Sequence, residues 1–355
     1  MAHEASANSA EANHRQRVAV YFVASPLQYL AAKQIALQHE QGARQVLIWY
    51  KPGMRQSVDP TEWDACAYMS WPRWEPMSGP FGRHRRLLAN IDLLAALVGP
   101  CEDLHLHSAV FDTEAINYFL KALPARCSAD RMRARILPDG LISIRRYPLQ
   151  PLQQALQRVR LLRRLIAPDL SYWCFTGDRI GSDAPFCDRI YVLPGLPHQY
   201  PLSKTVELKP LAARDRDPGV PHRRRALVVG QPLVGAGLMS ERARDTVSHQ
   251  ILQWLNEQGF DDIHYKGHPK DPSLELNQPQ YQVLDLKEPL EAWMARQPYD
   301  AVVGVRSSSL LFARQIYGDE SNVLAFGWDD VCFKSERERQ DMIEVFKSVG
   351  VTMVS

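Results

Sequence analysis

The residues best suited to chemistry in this chain stand where strand-like apolar runs break into loops. "YKGHPKDPS", residues 265–273, holds His268 between Gly267 and Pro269 directly after the run "FDDIHY". Proline biases the residue before it toward extended backbone, and glycine lets the chain come close to a neighbour. The histidine is held stiffly beside whatever approaches the loop; a solvated turn is the plainer alternative. "ILPDGLISI" places Asp139 at a strand end, where a carboxylate can take a proton from a hydroxyl. Asp-Gly is equally a turn signal. "VGVRSSSLLFARQIYG" runs from a strand into a helix with Ser307, Ser308 and Ser309 at the junction. Hydroxyls and open N–H groups at a helix start suit a phosphate; one serine there can be only a cap. Glu291 in "EPLEAWM" is placed to accept both hydroxyls of a ribose, or is a surface glutamate.

These positions need a scaffold of alternating strands and helices. "VAVYFVA" at residues 18–24 is a continuous β-branched and aromatic run, as a parallel strand buried on both faces would be. "SPLQYLAAKQIALQHEQG" follows with Ser25 as N-cap, Pro26 at the first helical position and Gly42 at the end. The alternation continues through "QVLIWY", "HRRLLANIDLLAALVG", "DLHLHSAV", "TEAINYFLKAL" and "ARILPDG". After a Pro-rich, charged stretch at 200–225 it restarts at "ALVVGQPL". Residues 1–16 are expected to be a disordered leader, 17–199 an N-terminal Rossmann-like domain, 200–225 a linker, 226–333 a C-terminal Rossmann-like domain and 334–355 a C-terminal helix opened by the capping box "SERE". The fold class is α/β: two Rossmann-like domains facing across a cleft, with the sites at the carboxyl ends of their strands.

Composition excludes several classes. In 355 residues, 42 Lys and Arg stand against 40 Asp and Glu, so no global charge speaks for nucleic acid. The 6 cysteines are dispersed, with no CxxC pair, against both zinc and a disulfide framework. There is no complete GxGxxG fingerprint after the first strand and no Walker loop, which disfavours a bound dinucleotide. The "DRD" at 215–217 sits in the polar linker and reads as solvated charge. No run approaches the length of a membrane span. A cytoplasmic chain is expected, with peripheral inner-membrane association as an option. "PLQQALQRVRLLRRLIA" at 151–167 has a helical apolar stripe beside arginines 158, 160, 163 and 164. Its apolar face is expected to pack in the core; an anionic glycan or a membrane surface are the alternatives.

Asp139, His268, Glu291 and the serine run, taken in order, resemble the motifs of bacterial sialyltransferases and polysialyltransferases of GT-B type. "YFVASPLQYLAAKQIA", "GQPLVGAGLMSE", "KGHP" and "GV…SSLLF" are similar to short islands of that family in both domains. The resemblance implies a metal-independent, inverting transfer of a nonulosonic acid from a CMP-sugar to a cell-surface glycan, possible lipid linkage included, with no cofactor. Asp139 would be the base and His268 the group meeting the leaving phosphate. Gly267, Pro269, Glu291, Ser307, Ser308 and Ser309 would bind the donor, and Ser25, Gln28, Arg158 and Arg163 the acceptor. The family carries two acidic residues before the glycine, whereas this chain has Pro138 then Asp139. CDP-alditol phosphotransferases share the HP loop and serine pair and are the alternative enzyme. UDP- or GDP-sugar transferases are a weaker choice, and a non-catalytic subunit of a polysaccharide assembly complex is a third class.

Overall fold

The computed structural model describes residues 16–139, 146, 148–193, 198–211, 223–268, 270–286 and 288–354. Residues 1–15 of the expected leader, Gly140, residues 212–222 of the expected linker and Pro269 lie outside the described residues.

The first unit runs β1 (Val18–Val23), α1 (Pro26–Gln38), β2 (Arg44–Trp49), β3 (Ala65–Tyr68), α2 (Gly82–Val98), β4 (Asp103–Ser108), α3 (Glu114–Asn117), α4 (Phe119–Arg126), β5 (Arg131–Ile136), α5 (Pro151–Leu161), β6 (Cys187–Val192) and β7 (Thr205–Glu207). The second runs β8 (Arg225–Val229), α6 (Glu241–Glu257), β9 (Asp262–Lys266), β10 (Gln282–Val283), α7 (Leu290–Arg296), β11 (Ala301–Gly304), α8 (Ser308–Tyr317), β12 (Asn322–Phe326), α9 (Glu336–Ser348) and β13 (Thr352–Val354).

The strand orders are β3-β2-β1-β4-β5-β6-β7 and β10-β9-β8-β11-β12-β13, parallel throughout. Both are doubly wound, so each sheet has a switch point where the crossovers change direction: between β1 and β4, and between β8 and β11. Helices leave opposite faces there, which opens a crevice at the carboxyl edge. The expected two-domain α/β architecture is the one observed.

The strands that read as continuous apolar runs are the buried ones: every residue of β1 is buried, as is all of β11. Caps follow the sequence signals. Ser25 Oγ accepts the N–H of Gln28 at 3.3 Å and opens α1. Ser335 Oγ accepts the N–H of Glu338 and opens α9, while the Glu338 carboxylate accepts the N–H of Lys334, one residue before the cap, at 2.8 Å.

One apolar cluster, including Tyr21, Leu27, Ile35 and Leu47 of the first unit and Leu227, Val302, Leu310 and Ile316 of the second, is continuous across both. Helix α1 lies against α7 on this seam. Each unit also has a core of its own on the far side of its sheet.

Three expectations need correction. Part of the linker, Thr205–Glu207, is the edge strand β7 of the first sheet, paired with β6. The last helix ends at Ser348, and β13 then pairs with β12, so residues 352–354 belong to the second sheet. Finally, the apolar stripe on α5 is not in the core: Leu152, Leu156, Val159, Leu162, Leu165 and Ile166 are exposed.

Candidate active site

In the second unit, β8, β9 and β11 are adjacent, and their following loops meet at the switch point. With strands about 4.8 Å apart, the loops after β9 and β11 leave the sheet roughly 10 Å from each other. His268 follows β9. Its Nδ1 accepts the N–H of Lys270 at 3.0 Å, and its carbonyl accepts that of Asp271 at 2.9 Å. A ring nitrogen that accepts a backbone N–H carries no proton, so the neutral ring holds its proton on Nε2. The side chain is exposed, and Nε2–H is the donor it offers outward.

The loop is shaped from behind by Asp271, whose carboxylate accepts the N–H of Glu275 at 3.0 Å and the hydroxyl of Ser273 at 3.2 Å. Glu275 in turn accepts the N–H groups of Val234 and Gly235 at 2.7 and 3.0 Å, tying this loop to the glycine-bearing one after β8. Gly267 and Gly230 serve close packing. A Cβ on Gly267 would meet Leu274 at 2.6 Å; one on Gly230 would meet the Tyr265 hydroxyl at 2.2 Å. The absent Cβ of Gly267 therefore faces protein.

The serine run opens α8. Ser307 is its N-cap, with Oγ accepting the N–H of Ser309 at 3.3 Å. Ser308, one residue on, is exposed at the first helical position. The helix is 10 residues long, and its start directs partial positive charge at the crevice. Arg306 stands just before it: its N–H donates to Gln231 Oε1 at 3.2 Å, linking the loops after β8 and β11, and its guanidinium lies over the Phe333 ring at 5.1 Å. Glu291 is in the first turn of α7, half-buried, at the same edge.

In the first unit, Asp139 follows β5. Burial pushes its carboxyl above the ordinary aspartate range, opposed by a hydrogen bond from Gln28 and by the charge of Lys51. Gln28 is almost fully buried, and its Oε1 accepts the N–H of Ala24 at 2.6 Å, which leaves its amide nitrogen for Asp139. Tyr50 lies close enough that burial and the Asp139 charge both raise its hydroxyl above the usual value.

Beside these residues, at the ends of β2 and β3, is a cavity of about 690 Å³ lined by Trp49, Pro52, Arg55, Val58, Pro60, Tyr68 and Glu75. A smaller one of about 190 Å³ is lined by Pro26, Tyr29 and Lys33 of α1 together with Ala292 and Arg296 of α7. Pro26 adjoins Ser25, and Ala292 adjoins Glu291. The two carboxyl edges therefore share one interdomain seam.

Three of the four acceptor residues read from sequence have partners within the protein. Ser25 caps α1, and Gln28 holds Asp139. Arg163 pairs with Glu114 and donates to the Tyr118 hydroxyl at 3.1 Å. Arg158 is exposed. Tyr50, Lys51, Gln231 and Arg306 were missed. Arg306 abuts the serine motif and Gln231 the glycine loop, so adjacency was the available signal. Tyr50 and Lys51, after β2, join Asp139, after β5, through the β2-β1-β4-β5 order of the sheet. Among the described residues, no group of three His, Cys, Asp or Glu side chains is placed to hold a metal.

Residues 202–325 match the family model of the alpha-2,8-polysialyltransferases. That segment is similar to the family. The matched segment contains His268, Glu291 and Ser307–Ser309, whereas Asp139 lies outside it. Over the whole chain, the structure resembles an alpha/beta-galactoside alpha-2,3-sialyltransferase from the luminous marine bacterium Photobacterium phosphoreum. The TM-score is 0.51 at 12% identity, covering 95% of this chain and 98% of that one. A UDP-GlcNAc 2-epimerase from Methanocaldococcus jannaschii aligns with TM-score 0.47 at 10% identity, over 96% of this chain and 89% of that one. The kitacinnamycin glycotransferase aligns with TM-score 0.46 at 11% identity, over 96% and 86%. No curated protein matches by sequence. The chain has the GT-B fold, and the family match over 202–325 together with that fold supports a glycosyltransferase.

Proposed function

We propose that this sialyltransferase-like chain moves a nonulosonic acid from a CMP-sugar to a hydroxyl of a glycan by one displacement that inverts the anomeric centre. The observation that carries this reading is the grouping at the second switch point. His268 offers Nε2–H, α8 offers its N-terminus and Ser308, and both belong to the segment similar to polysialyltransferases.

In the reaction, Asp139 takes the proton from the acceptor hydroxyl as that oxygen bonds to the anomeric carbon. The bond from that carbon to the CMP phosphate oxygen breaks, and the phosphate leaves toward His268 Nε2–H and the start of α8. Charge developing on it is met by hydrogen bonds and the helix dipole already in place. Protein groups suffice for this role, so no added metal is required by the proposal. Glu291, at the same edge, accepts the ribose hydroxyls. The elevated carboxyl of Asp139 makes it a stronger base than an exposed aspartate. The cavity walled by Trp49 and Tyr68, whose rings lie 6.2 Å apart, receives the acceptor sugar against its apolar ring face.

Thermal-shift titration with CMP, CDP, UDP and GDP, without added metal, tests the donor site. A nucleotide at 100 times its Kd adds about 2.7 kcal/mol of stability. Selective stabilisation by CMP, followed by glycan product from a CMP-nonulosonate, supports the reading. Preference for CDP with transfer from a CDP-alditol replaces it with a phosphotransferase, and CMP binding without any transfer replaces it with a binding subunit.

A further inference from the structure

Helix α5 and the 3-10 turn that continues it, Leu162–Leu165, are amphipathic with the polarity reversed. The inward side is polar. Gln157 is 1% exposed and its Nε2 donates to Asp112 Oδ1 at 2.9 Å. Arg160 donates to the Tyr172 hydroxyl at 3.0 Å, and Arg163 pairs with Glu114. The outward side is apolar: Leu152 is 71% exposed, Val159 62% and Leu165 79%. These recur at helical spacing, so the stripe from Leu152 to Ile166 runs about 20 Å along one side. A helix of an isolated soluble chain turns its apolar face inward; this one has its inward face fixed by half-buried polar bonds to Asp112, Tyr172 and Glu114 and so keeps the stripe outside.

We propose that this face docks on the surface of an anionic lipid bilayer. The charges beside it choose that occupant. From Leu149 to Pro168 there are four arginines, at 158, 160, 163 and 164, and no acidic residue. Arg158 and Arg164 are exposed on the flanks of the stripe, where long basic side chains reach headgroup phosphates while the leucines enter the acyl boundary. A second copy of the same face would instead bring arginines against arginines with no carboxylate in the segment to pair them. The basic character extends to α2: Arg83 shares the Glu114 carboxylate with Arg163, and Phe81, two residues before Arg83, is 70% exposed. The helix packs on Asp112 and Glu114, which line the arginine-rich cavity after β4. Docking would therefore hold the carboxyl edge of the first sheet near the lipid surface. This inference needs no donor or acceptor identity.

Co-sedimentation of the full chain with phosphatidylcholine vesicles, with and without phosphatidylglycerol, tests it. Binding is expected to the anionic vesicles and to weaken with salt. Replacing Leu156, Val159 and Leu162 together by serine should lower partitioning on the order of a hundredfold or more. Arg158→Glu with Arg164→Glu should lower it at least about fivefold per site and abolish the preference for anionic lipid. The thermal midpoint of the serine variant should match wild type because those side chains touch solvent. If that variant fails to fold, the arginine pair carries the test by itself. Wild-type protein that stays in the supernatant with both vesicles overturns the proposal. So does a serine variant that sediments like wild type, or one that only converts a wild-type dimer to monomer.

Discussion

Gln28 is the hand that holds Asp139. Its Oε1 is taken by the Ala24 N–H at 2.6 Å, so the amide can present only its nitrogen to the carboxylate. A sequence separation of 111 residues is closed by the β1-β4-β5 order. The bond favours the charged carboxylate and partly offsets the burial that disfavours it. Gln28→Met should therefore raise the Asp139 carboxyl further. The acid limb of the kcat/KM profile should move to higher pH, with only a modest change at the plateau. A limb that stays in place would show that Gln28 does not act on Asp139.

Asp139→Asn separates activity from stability. Loss of a positioned base costs about 10²–10⁴ in turnover. The carboxyl is elevated in the folded state, so the native chain holds its proton to higher pH than the unfolded chain. Folding stability therefore falls as pH rises from the unfolded value through the elevated one. The asparagine variant lacks this loss and should melt higher than wild type at neutral pH. Calorimetry across the acid range, beside a transfer assay, reads both effects.

The two serines at the start of α8 should divide in the same manner. Ser307→Ala removes a cap and should cost about 1 kcal/mol of stability. Ser308→Ala removes an exposed hydroxyl and should leave the melting midpoint unchanged while weakening CMP binding. Urea unfolding and CMP titration on the pair are the measurements, and equal effects on both readouts would reject the division.

His268→Ala should lower turnover about 10²–10⁴-fold with little change in stability, because the ring is exposed and its bond is to the nearby Lys270 N–H. Donors whose leaving phosphate needs less help should lose less. A uniform loss across donors of different leaving-group acidity would argue for a role in binding.

Away from the cleft, Glu40 is fully buried and receives Arg135, His105 and His107. Burial alone would raise its carboxyl, yet these partners hold it well below the usual range. Its stabilising contribution is present above the ordinary glutamate value and is lost only in strong acid. His107, by contrast, is pushed down by burial, so folding must keep it neutral; stability should decline as pH falls below about 6.5. Glu40→Gln removes one of the two carboxylates that face Arg135, with Asp188 still paired at 3.0 Å, and should cost about 1–3 kcal/mol. Denaturant titrations at neutral and mildly acidic pH test both statements.

Local order was legible in the residues: apolar runs for β1, β8 and β11, Ser25-Pro26 and Ser335–Glu338 for helix starts, the GHP and Ser307–Ser309 loops after strands. Each depends on neighbours within a few positions, through periodicity, φ restriction and capping. The packing environment of Asp139, the link from Gln231 to Arg306 and the membership of β7 and β13 in the sheets depend on which strands lie side by side, which no local pattern specifies. The same limit governs α5. Its spacing announced an amphipathic helix, but spacing is symmetric between a face that packs inward and one that faces out. Only the contacts of Gln157, Arg160 and Arg163 with Asp112, Tyr172 and Glu114 decided that the polar side faces the protein, because those groups have their hydrogen-bond and ion-pair partners on that side.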